Sequence, residues 1–138
     1  MKLKNKTAAK HYTVPKSRTG LGLFAAREFK RGSFVVEYTG KKVLTAHNQK
    51  RPSKIQRYQF EINSKWTLDG YSKTNIARYI NHSCNPNTEA CSRDKVLIRA
   101  LREISPGEEF TIDYGSEYFD EFIRPYGCKC VSCDKIGV

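Results

Sequence analysis

Apolar residues in this chain come in short alternating runs, each closed within a few residues by glycine, proline or asparagine. That pattern limits the fold more than any other feature. Val96, Ile98 and Ala100 alternate with polar neighbours, as do Phe110, Ile112 and Tyr114, and Tyr58, Phe60 and Ile62. A period of two puts every second side chain on one face, the mark of a half-buried strand. Phe34 to Tyr38 lies between Gly32 and Gly40, and Gly20 and Gly22 break an earlier run. Trp66 and Leu68 follow a polar turn at Asn63-Ser64, and Pro106-Gly107 is a further turn. Helix is predicted only as a short turn within Thr74 to Ile80, a short piece in the polar excursion 41–57, and residues 116–125. Such a pattern predicts a mainly β fold, and 138 residues suffice for one domain with a modest core.

The cysteines are Cys84, Cys91, Cys128, Cys130 and Cys133. An odd number with three packed into one short segment argues against a disulfide framework. Cys128 and Cys130 are too close along the chain to bridge each other comfortably. Clustered thiols point instead to a metal, with zinc the default. Structural zinc takes four thiolates or imidazoles, of which Cys128, Cys130 and Cys133 provide three.

The net charge of +11 is unevenly spread. Segments 1–18 and 41–57 each hold six basic residues and no acid, whereas 103–121 holds seven acids and no Lys or Arg. A basic balance of this kind suits a nucleic-acid partner. No stretch is apolar enough to span a bilayer, and no apolar core follows the basic start, so neither a membrane anchor nor a secretory signal is expected. The reading is a soluble intracellular protein: nuclear if eukaryotic, cytoplasmic if bacterial or archaeal, in a host nucleus if a secreted effector.

Four segments in order resemble the SET-domain protein-lysine methyltransferases. They are Gly20-Leu21-Gly22-Leu23-Phe24, the run Gly32 to Gly40, Arg78-Tyr79-Ile80-Asn81-His82-Ser83-Cys84-Asn85-Pro86-Asn87, and Gly107 to Gly115 with Glu108-Glu109 and Asp113-Tyr114. A fifth, Cys128-Lys129-Cys130-Val131-Ser132-Cys133, is similar to the post-SET zinc segment in its Cys-x-Cys-x-x-Cys form. The resemblance implies small curved antiparallel sheets with few short helices, and a pseudoknot where the Asn-His-Ser-Cys and Asp-Tyr segments cross. It divides the chain into a flexible basic terminus (1–10), a SET domain (11–118, with a short insert at 41–75) and a post-SET zinc segment (119–138).

The implied chemistry is methyl transfer from S-adenosylmethionine to a lysine of a basic protein, leaving S-adenosylhomocysteine. Histone-like, chromatin and ribosomal proteins are the expected substrates. The cofactor is expected to be held by Gly20, Leu21 (where family members often carry Trp), Gly22, Phe24, Tyr58, Arg78, Tyr79, Asn81 and His82. Asn81 is assigned to its amino or carboxylate end, and His82 to its adenine, mainly through backbone groups. Tyr114 is expected to orient the amine with help from Tyr38. Ile112, lacking a hydroxyl, leaves room for di- or trimethylation. Cys84 becomes the fourth zinc ligand by resemblance, which pins the tail over the site and makes Tyr118, Phe119, Tyr126 or Ile136 a wall of the lysine channel. Complementary charge would draw a basic peptide to 103–121, while 1–18 and 41–57 lie elsewhere and dock on nucleic acid. Two other classes fit part of the sequence: a catalytically inactive SET-like peptide-binding module and a small zinc-stabilised nucleic-acid binder. Intact Asn81, His82 and Tyr114 favour the enzyme.

Overall fold

A computed structural model describes residues 10–92 and 95–135. The expectation of a flexible terminus over 1–10 falls almost wholly outside them, as does the suggestion that Ile136 walls a channel. In chain order the strands are β1 (Tyr12–Thr13), β2 (Lys16–Ser17), β3 (Gly20–Leu21), β4 (Phe24–Ala25), β5 (Phe34–Tyr38), β6 (Lys41–Leu44), β7 (Gln59–Glu61), β8 (Trp66–Asp69), β9 (Asn81–His82), β10 (Thr88–Ser92), β11 (Val96–Ala100) and β12 (Thr111–Ile112). The helical pieces are short: α1 (Thr45–Asn48), α2 (Ser53–Gln56), α3 (Ser116–Tyr118) and α4 (Val131–Lys135), with a 3-10 turn at Ile76–Tyr79 and a π-turn at Phe119–Ile123. This is the mainly β architecture that the alternation predicts.

The sheets are small. β10, β11 and β5 form an antiparallel sheet with β11 central, and β6, β8 and β7 form another with β8 central. β1 pairs with β4 and β2 with β3, both antiparallel. β9 and β12 pair in parallel, Thr111 opposite Asn81 and Ile112 opposite His82. Segments nearly thirty residues apart in sequence thus lie side by side at the site, as the resemblance requires.

Val35, Val36, Ile98 and Ala100 of the first sheet pack with Leu23, Phe29, Ala77, Ile80, Ile104 and Phe110 into one core. Phe29 and Phe110 meet edge to face at 5.2 Å. A fully buried aliphatic or aromatic side chain contributes about 1.5–3 kcal/mol, so this cluster supplies much of the stability of the β10-β11-β5 face.

Several elements differ from expectation. The predicted strand through Phe110, Ile112 and Tyr114 shrinks to Thr111–Ile112, because the Phe110 N–H bonds to the Leu23 carbonyl and the Tyr114 N–H to the His82 ring. The polar excursion 41–57 opens with a strand: Lys41 and Lys42 are exposed and hide the pattern, but β6 pairs fully with β8. Asn81 and His82, which carry no alternation of their own, are a strand through that parallel pairing. α4 and β10 were not foreseen.

Candidate functional site

Two clefts meet on the surface where β9, β12 and the 3-10 turn converge. The larger, about 1190 Å³, runs from the β2–β3 hairpin past Arg78, Asn81 and His82 to the cysteine segment, lined by polar and apolar groups alike. The smaller, about 360 Å³, has mainly apolar walls, among them Tyr38, Phe60, Ile80, Ile98 and Ile112. Five residues line both: Arg57, Tyr58, Arg78, Tyr114 and Tyr118. A polar recess and an apolar channel therefore join at a ring of aromatic side chains.

Tyr114 stands at that junction. Its hydroxyl donates to the Ile80 carbonyl, and its ring packs against Tyr118 at 4.6 Å and the His82 imidazole at 5.4 Å. Burial, with the Tyr118 and Tyr38 phenols adding to it, raises the Tyr114 pKa well above its ordinary value. Tyr38 donates to the Tyr58 carbonyl at 2.6 Å, and burial raises its pKa likewise. Tyr118 is pushed up to about 12, chiefly by desolvation and against the nearby Arg57 charge. All three are neutral phenols at physiological pH.

Sequence reasoning missed what seats Tyr38. Gly70 has no side chain where the Tyr38 ring lies: a Cβ there would be 2.3 Å from Cε1 and 2.5 Å from the hydroxyl. Asn75, only 1% exposed, holds this corner by donating to the Gly70 carbonyl at 3.1 Å and accepting the Thr39 N–H at 3.0 Å. Asp69-Gly70 carries a turn signal and nothing more.

Of the residues expected around a cofactor, Gly20, Leu21, Tyr58, Arg78, Tyr79, Asn81 and His82 line the larger cleft, whereas Gly22 and Phe24 are not among its walls. Gly20 has φ +114°, open to glycine and strained for other residues. Gly22 is required for another reason: a Cβ would meet Glu109 Oε2 at 2.4 Å. That carboxylate accepts from Ser17 Oγ at 2.7 Å and Asn81 Nδ2 at 2.9 Å, and Asn81 Nδ2 also donates to the Leu21 carbonyl at 3.0 Å. With both acceptors taken by the amide nitrogen, the Asn81 side-chain oxygen is the group's remaining acceptor. The Arg78 guanidinium lies 4.2 Å from the Tyr58 ring centroid and within 5.5 Å of those of Tyr71 and Tyr79. Its Nε is buried without a hydrogen-bond partner among the described residues, an orphan that an anionic ligand would satisfy.

The sulfurs of Cys84, Cys128, Cys130 and Cys133 all lie within 4.8 Å of one another, Cys84 being 3.5 Å from Cys133 and 3.9 Å from Cys128. Four sulfurs about 2.3 Å from a tetrahedral ion are spaced about 3.8 Å apart, so the group fits one zinc-sized ion. Desolvation raises the Cys130 thiol, but hydrogen bonds from the Cys84 and Cys133 backbone and from neighbouring thiols outweigh it and bring its pKa down to about 6. Cys91, on β10, stands apart, opposite Leu97 of β11. Phe119 and Ile123 pack on the cysteine cluster, and Phe119 meets His82 at 5.5 Å. Tyr118 is thus the channel wall, Phe119 is the cluster's cover, and Tyr126 lines only the larger cleft.

The electrostatics depart from the expected split. Much of the acidic stretch is engaged internally: Glu108 with Arg102, Glu109 with Ser17 and Asn81, Asp113 with the Gly115 N–H, and Asp120 with Arg124. The basic segments do not lie wholly elsewhere, since Arg57 lines both clefts and Arg18 lines the larger one. Among the described residues no helix is long and apolar enough to cross a membrane.

A family model for the SET domain matches residues 20–115. The chain is 32% identical to "Histone-lysine N-methyltransferase trr" of Drosophila melanogaster, over 97% of this chain and 6% of that protein. It is 35% identical to "Histone-lysine N-methyltransferase 2D" of Homo sapiens, over 84% of this chain and 2% of that protein. Identity to "Histone-lysine N-methyltransferase ASHH3" of Arabidopsis thaliana is 33%, over 91% of this chain and 38% of that protein. The chain spans well under half the length of these curated relatives.

Proposed function

Because this chain belongs to the SET-domain family, we propose that it is an S-adenosylmethionine-dependent protein-lysine N-methyltransferase with one structural zinc. The observation that carries the reading is the junction of the polar cleft with the apolar channel at Tyr114. Cofactor and lysine enter from opposite sides and meet there.

The cofactor supplies an electrophilic methyl group on a sulfonium. Arg78, with its orphaned Nε, would hold the carboxylate end, and the side-chain oxygen of Asn81 would accept from the ammonium. Gly20, Leu21, Tyr58, Tyr79 and the backbone of His82 would complete the cradle, while Gly22 and Phe24 lie behind it against Glu109. The target lysine, with an ordinary pKa near 10.4, must shed a proton before it can attack. Apolar walls and an adjacent positive charge both disfavour the ammonium form. Tyr114 and Tyr38, as neutral phenols fixed by backbone carbonyls, orient the free amine and leave proton removal to solvent. With the methyl donor bound, attack by the free amine would form the N–CH3 bond as the S–CH3 bond breaks, leaving S-adenosylhomocysteine and a methylated lysine whose extra proton passes to water.

Ile112, half-buried in the channel wall without a hydroxyl, leaves room for successive methyl groups, so di- and trimethyllysine are the expected products. The cysteine cluster closes the site by holding the tail that carries Tyr118 and Phe119. The substrate is a basic lysine-containing protein of the histone, chromatin or ribosomal kind, met inside the cell. Lys41, Lys42, Lys50 and Lys54 are exposed along the insert, and they dock on the nucleic acid that carries such a substrate. Incubation of the zinc-loaded protein with S-adenosylmethionine and core histones, followed by mass spectrometry, tests this. Products stopping at monomethyllysine with enzyme in excess would remove the assignment of Ile112, and unmodified lysines throughout would remove the enzyme reading.

A further inference from the structure

The His82 imidazole spans the space between the Tyr114 backbone and the cysteine cluster. Its Nδ1 accepts the Tyr114 N–H at 3.1 Å, so the ring proton of the neutral form sits on Nε2. Nε2 in turn lies 3.4 Å from Cys84 Sγ, within reach of an N–H···S bond. The side chain is 7% exposed and lies between the Tyr114 and Phe119 rings, at 5.4 and 5.5 Å. Asp113 does not compete for the ring: its Oδ1 is 3.9 Å from Nδ1 and accepts the Gly115 N–H at 2.9 Å. An imidazole so enclosed cannot turn without losing both bonds and opening a void.

We propose that His82 is a positioning residue, a strut that fixes the Tyr114 backbone relative to Cys84 and so makes the place of Tyr114 depend on an occupied cysteine cluster. Four sulfurs on one ion are thiolates at fixed positions, and a fixed thiolate is a steady acceptor for the Nε2 proton. A free Cys84 thiol rotates, offers a weaker acceptor and can turn its own proton toward the ring. The ring then keeps only one of the two bonds that hold its Nδ1 lone pair on the Tyr114 N–H. This rests on the zinc reading of the cluster and goes beyond it, because a tail pinned over the site needs no contact from the ligand Cys84 to the Tyr114 backbone.

The test uses the full chain and two variants that each keep one end of the strut. His82→Asn places an oxygen where Nδ1 was, and His82→Gln places an N–H where Nε2 was. Long-range proton–nitrogen spectra of the zinc-loaded wild type should show one tautomer, with the proton on Nε2, and chelation should replace it by a mixture. Both variants should retain one zinc and keep the cofactor KM within about threefold, while kcat falls about tenfold or more, since small displacements of a positioning group have effects of that order. A ring spectrum indifferent to chelation in a protein that does bind zinc would overturn the strut alone. So would kcat within about twofold of wild type in both variants, or a loss confined to cofactor KM. A protein that takes up no zinc would overturn the metal reading and this inference together.

Discussion

Burial and the Ile80 carbonyl keep the Tyr114 proton in place far above neutral pH, which decides what this side chain can do. A phenol of raised pKa is no base near neutrality. The rise of kcat between about pH 7 and 9.5 should therefore report the target amine. Tyr114→Phe should lower kcat by about a hundredfold or more while leaving the midpoint of that rise unmoved, read from pH–rate profiles of both proteins. The raised pKa of Tyr38 and Tyr114 also has a stability consequence of definite sign. It favours the fold fully below the ordinary phenol value near 10 and ceases to do so above it, where unfolded phenols ionise. Gly70→Ala is the more specific probe of positioning, since a methyl group there displaces Tyr38 from its seat. Activity should drop by about a hundredfold with the melting temperature lowered by only a few degrees; retained activity would mean the Tyr38 ring can shift without consequence. Tyr114, Asn81 and Cys84 were legible in the sequence because each sits in a dense run of chemically distinctive neighbours. Gly70 and Asn75 were not, nor was the role of Glu109 within its run, because each acts through a partner far away in sequence: Tyr38, Thr39, and Ser17 with Asn81.

Strand alternation made β5, β7, β8 and β11 visible, each with apolar residues at every second position or a glycine at its end. β6 and β10 carry lysines, threonine and serine, and only pairing with β8 and β11 makes them strands. The parallel pairing of β9 with β12 leaves no periodic trace at all, since each contributes two residues. The insert is locked onto its sheet by Asp69, which accepts from Gln59 at 2.9 Å, from the Tyr71 N–H at 3.1 Å and from Arg51 at 3.1 Å. Desolvation raises the Asp69 pKa, but these bonds outweigh it and hold it below the ordinary carboxylate value. A depressed carboxylate stabilises the fold above the unfolded value near 3.9 and loses that contribution as pH falls through the lower folded value. Asp69→Asn should cost about 1–2 kcal/mol at neutral pH, seen in urea titrations, and the difference from wild type should close below about pH 3. The cysteine segment behaves as another unit. Chelation should abolish cofactor binding in calorimetry and lower the melting temperature, yet leave the far-ultraviolet spectrum of the β core largely intact, because the cluster lies outside the main apolar core.

Across the whole molecule the charge is sorted by use. Four of the acids between 103 and 121 are engaged internally, whereas Lys41, Lys42, Lys50, Lys54 and Arg57 on the insert are exposed. Binding to duplex DNA should weaken steeply with salt, and Lys50→Glu with Lys54→Glu should lower the salt slope by about two and the affinity severalfold. Affinity unchanged in the double variant would leave those charges as surface solvation. The family relationship covers Gly20 to Gly115, and the tail beyond it meets that region through Cys84. The proposed function therefore turns on whether the junction at Tyr114 transfers methyl groups. The most direct test is transfer of labelled methyl from S-adenosylmethionine to a panel of basic proteins, wild type against Tyr114→Phe, with zinc content and cofactor affinity matched. Label on lysine that vanishes in the variant is the expected result. Cofactor binding with no label on any lysine in the panel, or equal label from both proteins, would contradict it.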